Sequence, residues 1–456
     1  MGIALQRIQS KIGYDPPPKA SSGRESQWGF RDFLAKQKLD YFQPFVQKHA
    51  ILTFEYSVFC TRLADRLIKS GTQSETRSIE WEEEITEQVA AAMMMAELLA
   101  HIYRHYLSVP REVKRLLDEQ SIYRSVLKKR GYHFDESCQD SMPSPGFFSQ
   151  KVRSTHVILN WPRLFTVRIR RVLTTLILLP EAKKFDHFCR FIIFADRFVN
   201  PVLTHLSWLF FVPRFVTNVF LLLEHVIPGS WLDSYEKDLP WYIRVQAQLE
   251  QCWFELGNDT AWLTGGLLNC FVLTGPLAPV GMYLTISLFL FDVLWAGLRA
   301  YIELGRIKGL EVEYANLLSY MEQDGTSAAD LAELQSLQEY LQQRMQFEHE
   351  RLMLSVVNTT VLFFGMCFAL PLLTNPLFAL IGAVLVLATT CIIYNKVQSL
   401  ETKRPVNRIM ELRQPQYALL LEKTGMFKEN GIKEGTTLEP TQGTIVGLSP
   451  SSLIKD

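Results

Sequence analysis

Apolar residues are unevenly spread along this chain, and their densest stretch lies between residues 261 and 395. The pattern there reads apolar, then charged and helical, then apolar again. Residues 261–298 break once, at Gly-Pro-Leu-Ala-Pro (275–279), and residues 352–395 break once, at Thr-Asn-Pro (374–376). A bilayer core about 30 Å thick takes roughly 20 largely apolar residues per helix. Each block therefore has the length of two antiparallel spans joined by a tight loop, and helices satisfy their own backbone groups in lipid. The pattern predicts an all-α polytopic membrane protein with two transmembrane helical hairpins, 252–302 and 352–395, joined by a charged insert at 303–351.

The insert has its own period. Ala300, Glu303, Ile307, Leu310, Tyr314, Leu317 and Met321 repeat at steps of three and four, as in a heptad seam. After an Asp-Gly-Thr-Ser turn (324–327), Leu331, Leu334, Leu337, Leu341, Met345 and Leu352 carry a similar stripe back. The spans are thus expected to run on into an antiparallel coiled-coil finger, roughly 30 Å or more beyond the membrane. Tyr314, Leu317, Met321, Leu334, Leu337 and Leu341 are its expected partner-binding residues. Basic residues gather at its base (Arg306, Lys308, Arg344, Arg351) and after the last span (Lys396, Lys403, Arg404, Arg408), while neither tight loop is charged. The positive-inside rule then places the finger and a 396–456 tail in the cytosol.

Counting outward from each tight loop shows which polar residues meet. In the first hairpin Arg299 falls opposite Glu255, with Asn258 and Asp259 close by, and Asp292 falls near Trp262. Asp292 lies about 20 Å along the helix from the turn, a depth at which an ionisable residue is a functional candidate. The plainer reading is a carboxyl satisfied by the Trp262 indole. In the second hairpin Asn358, Thr359 and Thr360 fall opposite a segment holding Thr389 and Thr390, and Gly365 and Gly382 allow close backbone approach.

Before the hairpins the pattern changes. Residues 1–27 contain a Pro- and Ser-rich run and read as a disordered arm. Residues 28–150 read as a helical soluble domain: one or two helices over 41–70, one opened by Glu82, Glu83 and Glu84, and one over 111–129. Acidic residues in a first turn complement the helix dipole. The Ala- and Met-rich centre of the second (90–100) is too short to span and reads as core or as a face on lipid. Residues 151–251 read as basic amphipathic and interfacial helices. Lys151, Arg153, Arg163, Arg168, Arg170 and Arg171 occur there among apolar residues without an acid before residue 181, a composition suited to anionic headgroups at a membrane surface. Residues 201–223 are long enough to span, yet His205, Pro213 and Arg214 count against it. A broken interfacial pair is expected, with an extra span as the alternative.

Composition changes this picture little. The 47 basic and 47 acidic residues balance, so bulk charge gives no argument for nucleic acid. Seven scattered cysteines without a C-x-x-C pair favour reduced thiols. No nucleotide-binding, hydrolase or zinc-protease motif is present, so neither an enzyme nor a cofactor is expected. Glu97, His101 and His105, four residues apart, could share a helix face as metal ligands; a metal site usually needs a further ligand from elsewhere, and none is expected here.

The run Asp-Leu-Pro-Trp-Tyr-Ile-Arg over 238–244, continuing to residue 284, resembles sequence in multi-pass coiled-coil membrane proteins that intracellular bacterial pathogens deliver through a type IVB secretion system. The tail is similar to secretion signals of that class, with Glu422, Glu429, Glu434 and Glu439 ahead of Ser-Pro-Ser-Ser, Leu453 and Ile454. The resemblance implies an effector inserted in a host membrane and brings no catalytic residues. The combined expectation is a membrane scaffold whose finger binds a protein partner. The alternative is an oligomeric channel or transporter lined by the polar residues of the spans.

Overall fold

The computed structural model describes residues 3–16, 26–72, 79–135, 147–227, 229, 232, 234–323, 328–368, 370, 375–403 and 409. The tail beyond 409, with its secretion-signal features, and the finger tip at 324–327 lie outside the described residues. The fold is all-α, apart from two parallel two-residue strands, β1 (Ser26–Gln27) against β2 (Tyr132–His133).

The first part of the chain forms a helical body from α1 (Ile3–Ile12), α2 (Phe30–Lys36), α3 (Leu39–Gln47), α4 (His49–Thr72), α5 (Ile79–His105) and α6 (Pro110–Lys129). The acidic cluster at 82–84 sits in the first two turns of α5, and the Ala- and Met-rich centre of that helix is core: Met93, Met94, Leu98 and Leu99 are fully buried. Residues 1–27 are not simply an arm. The Ile3–Ile12 segment is helical, with Ile8 and Ile12 buried one turn apart and Arg7 and Lys11 both on Glu55 of α4, at 3.2 and 3.1 Å. The apolar spacing of Ile8 and Ile12 was legible; their docking site was not.

The later helices are α7 (Phe147–Leu176), α8 (Asp186–Leu209), α9 (Val212–Val226), the short α10 (Ser234–Asp238), α11 (Trp241–Leu267), α12 (Ala278–Gln323), α13 (Ala328–Cys367) and α14 (Pro376–Thr402). Some of the later helices turn polar residues inward and apolar residues outward. On α8 and α9, Phe191, Phe194, Phe198 and Phe220 are more than half exposed, whereas Arg214, Thr217 and Asn218 are buried. Polar-in, apolar-out is the arrangement that a lipid surround rewards, since only inward groups can find hydrogen-bond partners there. Among the described residues, four stretches are long and apolar enough to cross a membrane: Asp186–Val226, Gly275–Gln323, Asp330–Cys367 and Pro376–Thr402. The chain is therefore compatible with a multi-pass integral membrane protein.

Residues 201–223 are broken, as the sequence suggests. The helix stops at Leu209 and restarts at Val212, with Pro213 in the first turn of α9, where its missing N–H costs nothing. Where α13 and α14 cross, a Cβ on Gly382 would strike the Gly365 carbonyl oxygen, and one on Gly365 would lie 2.7 Å from Val386. Both positions require glycine for that contact.

α12 runs 46 residues and α13 runs 40 without interruption, so each apolar stretch continues into its charged extension. Glu303 of α12 reaches Arg351 of α13 at 3.8 Å. Their far halves are not free. Leu310, Tyr314, Met321, Leu334, Leu337 and Leu341 belong to one core with α4, α5 and α6. Tyr314 donates to Glu55 at 2.9 Å, Tyr340 to Asp65 at 2.7 Å, and Arg62 pairs with Glu333 at 3.3 Å. The residues expected to bind a partner pack within the chain, half-buried Leu317 against the edge of the same core. A heptad-like stripe shows that a helix face is buried; it does not show against what.

Candidate functional site

The chemistry of the lipid-facing half collects on the inner faces of α7, α9, α11 and α12. Arg214, at the start of α9, grips Asp259 of α11 with both arms of its guanidinium: Nε donates to Oδ2 at 2.7 Å and Nη2 to Oδ1. Asp259 is completely buried. One turn on, Asn218 donates to Glu255 at 3.4 Å. Bidentate geometry fits a guanidinium to a carboxylate and offsets part of the desolvation that such burial costs. Arg214 is one of the residues that count against a span here, yet its partner lies 45 residues on. No local pattern announces such a pairing.

Next to this pair sits His156 of α7, 8% exposed, its ring centroid 4.0 Å from that of Phe210. Neither ring nitrogen has a protein partner. Two turns along the same face, Arg163 lies over Phe210 and Phe211 at 4.3 and 5.1 Å, a cation–π arrangement that gains strength when desolvated. Nothing in the sequence around His156 marks it as a functional candidate. A histidine six residues before Pro162 gives no signal of its own.

The basic face of α7 is turned inward, contrary to the expected contact with headgroups. Arg168 donates to the Thr390 hydroxyl of α14, and Arg171 to the sulfur of Met366 on α13. Arg170 pairs with Asp196 of α8 at 2.5 Å. Outward positions carry Ile158, Leu159, Val167 and Ile169, each more than a third exposed. Apolar residues interleaved with arginines satisfy either orientation, and the packing partners decide which one holds. Lys151 is exposed at the start of the helix, and the side chain of Arg153 lies outside the described residues.

The remaining expected residues fall out as follows. Trp262 donates its indole N–H to Asp292 at 2.9 Å, the plainer of the two readings of that carboxyl. Arg299 bonds Glu303 one turn along its own helix at 2.6 Å and lies over Phe254; counting across the loop had paired it with Glu255. Asn258 is half-buried on α11. Thr359 and Thr360 donate to Val356 O at 3.0 and 2.8 Å, and Thr389 and Thr390 to carbonyls four residues back. These hydroxyls bond back within their own helices, and the cross-helix bond to one of them comes from α7, where Arg168 reaches Thr390. Half-buried Asn358 sits on the same turn of α13.

In the helical body, Glu97 does not face His101 and His105 as a ligand. Its carboxylate accepts from Trp28 Nε1 at 2.9 Å and from Arg31 at 3.0 Å, and burial pushes its pKa up against the pull of Arg31. His101 stacks on Phe42 with ring centroids 4.6 Å apart. Among the described residues no group of three side chains could hold a metal ion, and the six described cysteines are free thiols. No protein-family model, curated protein or solved structure matches the chain.

Proposed function

We propose that the protein is an integral membrane scaffold that holds a helical body rigidly against one face of a bilayer. The observation that carries this is the shared core: segments far apart in the chain end in the same body. Leu239 just before α11, Ile243 and Ala247 within it, the far halves of α12 and α13, and Ile409 all pack with α4 to α6. Near α10, Glu236 is bonded by Ser108 at 3.1 Å and by His225 at 2.9 Å. An excursion that begins and ends in one soluble body crosses a membrane an even number of times. That parity supports paired crossings by α13 with α14 and by α12 with α11, although α11 is not one of the four apolar stretches, and an even number within 147–226. It also gives α11 a reason to carry Glu255 and Asp259, since α8, α9 and α12 surround it.

On this reading the body, the stalk of α12 and α13, and the end of α14 face the cytosol, where Arg306, Lys308, Arg344, Arg351 and Lys396 obey the positive-inside rule. The host-membrane destination implied by the resemblance suits such an anchor. In a variant lacking native cysteines, cysteine at Gln323 or Lys403 should react with an impermeant maleimide from one side of sealed vesicles. Cysteine at Leu277 or Asn375 should react only from the other side. Joint labelling of positions 277 and 323 from one side would end the parity argument.

With the stalk seam occupied, the outer surface of the body and the stalk tip are what a partner can touch. A photo-crosslinker at exposed Gln323 should capture one discrete protein in cells, and Asp292→Asn should leave that capture unchanged. A second reading, an anion-handling membrane protein, is favoured by Arg163, Arg168 and Arg171, which point inward without a paired carboxylate. Anion flux in proteoliposomes that Arg171→Leu abolishes, with the fold intact and no partner captured, would replace the scaffold by this reading.

A further inference from the structure

Two arginines in the lipid-facing half carry their own counter-charge, Arg170 on Asp196 and Arg214 on Asp259. Three more on α7 do not. Arg163 reaches the Asn160 amide oxygen at 3.4 Å and the rings of Phe210 and Phe211. Arg168 reaches the Thr390 hydroxyl, and Arg171 the Met366 sulfur. Among the described residues, none of these three has a carboxylate within ion-pair distance. The Nε of Arg163 is buried with no partner at all. α7 runs beside α14, with Trp161 5.0 Å from Tyr394 by ring centroids and Arg168 on Thr390. On the membrane reading the row therefore lies along an apolar span, where a cation without a counter-charge is costly.

The row also leaves room. Residues three and four apart are neighbours on a helix, so Val167 is bordered by Arg163, Arg170 and Arg171. Val167 is 39% exposed, although those arginines reach toward α8, α9 and α13. It is the floor of an open notch with guanidiniums on its rim. We propose that this notch seats one tetrahedral oxyanion of the phosphate type between Arg163 and Arg171, a proposal that rests on the membrane reading. The two arginines stand about 12 Å apart along the helix, with Val167 midway. A guanidinium offers paired N–H groups that match two oxygens of one ion. A tetrahedral oxyanion has several such edges, so two arginines can grip it together, whereas chloride has none. Arg168, on the α14 side, adds to the attraction. Arg170 is already neutralised by Asp196, so the notch keeps a surplus of positive charge. A free phosphate ion and the phosphate of an anionic lipid share this chemistry. A fixed anion completes the scaffold; a mobile one is the cargo of the anion-handling reading.

The test uses the full chain in mild detergent and has two arms. One follows thermal unfolding as inorganic phosphate is added, with chloride holding the ionic strength constant. The other measures, by native mass spectrometry, anionic phospholipid that stays bound through purification. A free ion as the source gives saturable stabilisation by phosphate that chloride does not reproduce. A lipid as the source gives one retained anionic phospholipid instead. In either arm Arg163→Gln and Arg171→Gln should each weaken binding about tenfold or more. Arg190→Gln, on the mostly exposed Arg190–Asp186 pair of α8, should leave it unchanged. If a glutamine variant fails to fold, Arg171→Lys takes its place; it keeps the cation, loses the paired geometry and should still weaken binding. Phosphate bound in neither form, or binding that survives the Arg163 and Arg171 variants, overturns the proposal while leaving the membrane reading intact. A chain that alkaline carbonate strips from membranes overturns the membrane reading itself.

Discussion

Asp259→Ala should lower the stability of the detergent-solubilised protein by about 3–5 kcal/mol, since it strands a buried guanidinium. Arg214 is 8% exposed and Asp259 fully buried, so neither charge can turn to water when the other is lost. The expected readout is a steep loss of monodisperse protein on heating in mild detergent. The Arg214→Leu/Asp259→Leu double variant should recover most of that loss, because apolar replacement of a buried pair is often neutral or stabilising. A double variant as weak as the single one would mean that the pair is not a closed unit. Attention would then move to His156 and Glu255 as additional partners.

Leu334→Ala should cost about 2–5 kcal/mol, the range for a buried leucine whose surroundings collapse only in part. Leu334 is 1% exposed and lies beside Glu333, which holds Arg62 and Gln88. The loss should be felt on both sides of the contact. Amide hydrogen exchange should rise in α4 and α5 together with the stalk half of α13, and stay unchanged in α14. Faster exchange confined to α13 would show that the stalk merely leans on the body, and the rigid-scaffold reading would fail with it.

The two halves of the molecule differ in how far their sequences disclose them. Span lengths follow from uninterrupted apolar runs, a local property, and α12 and α14 read clearly from residues 280–298 and 376–395. The Asp292–Trp262 contact is also accessible, because a tight loop fixes the register of two adjoining helices. Contacts across unlinked helices are another matter. Arg214 with Asp259, Arg168 with Thr390 and Tyr314 with Glu55 join residues 45, 222 and 259 positions apart. Each side chain taken alone fits several environments. The orientation of α7 shows the same limit: its arginines and isoleucines alternate closely enough to face either headgroups or neighbouring helices. The packing of α13 and α14 against it selects the second.

The shared core also sets an order of events during synthesis. α4 to α6 are complete once residue 129 has been made, but Leu334, Leu337 and Leu341, which close one side of their core, come more than 200 residues later. At about 5–20 residues per second, that interval is on the order of ten to forty seconds. Throughout it the body presents an unfilled apolar face. The nascent body must be shielded by a holding factor or stay loosely folded until α13 arrives. A chain cut short anywhere before residue 341 leaves that face open and should be cleared as misfolded, even with its first helices intact.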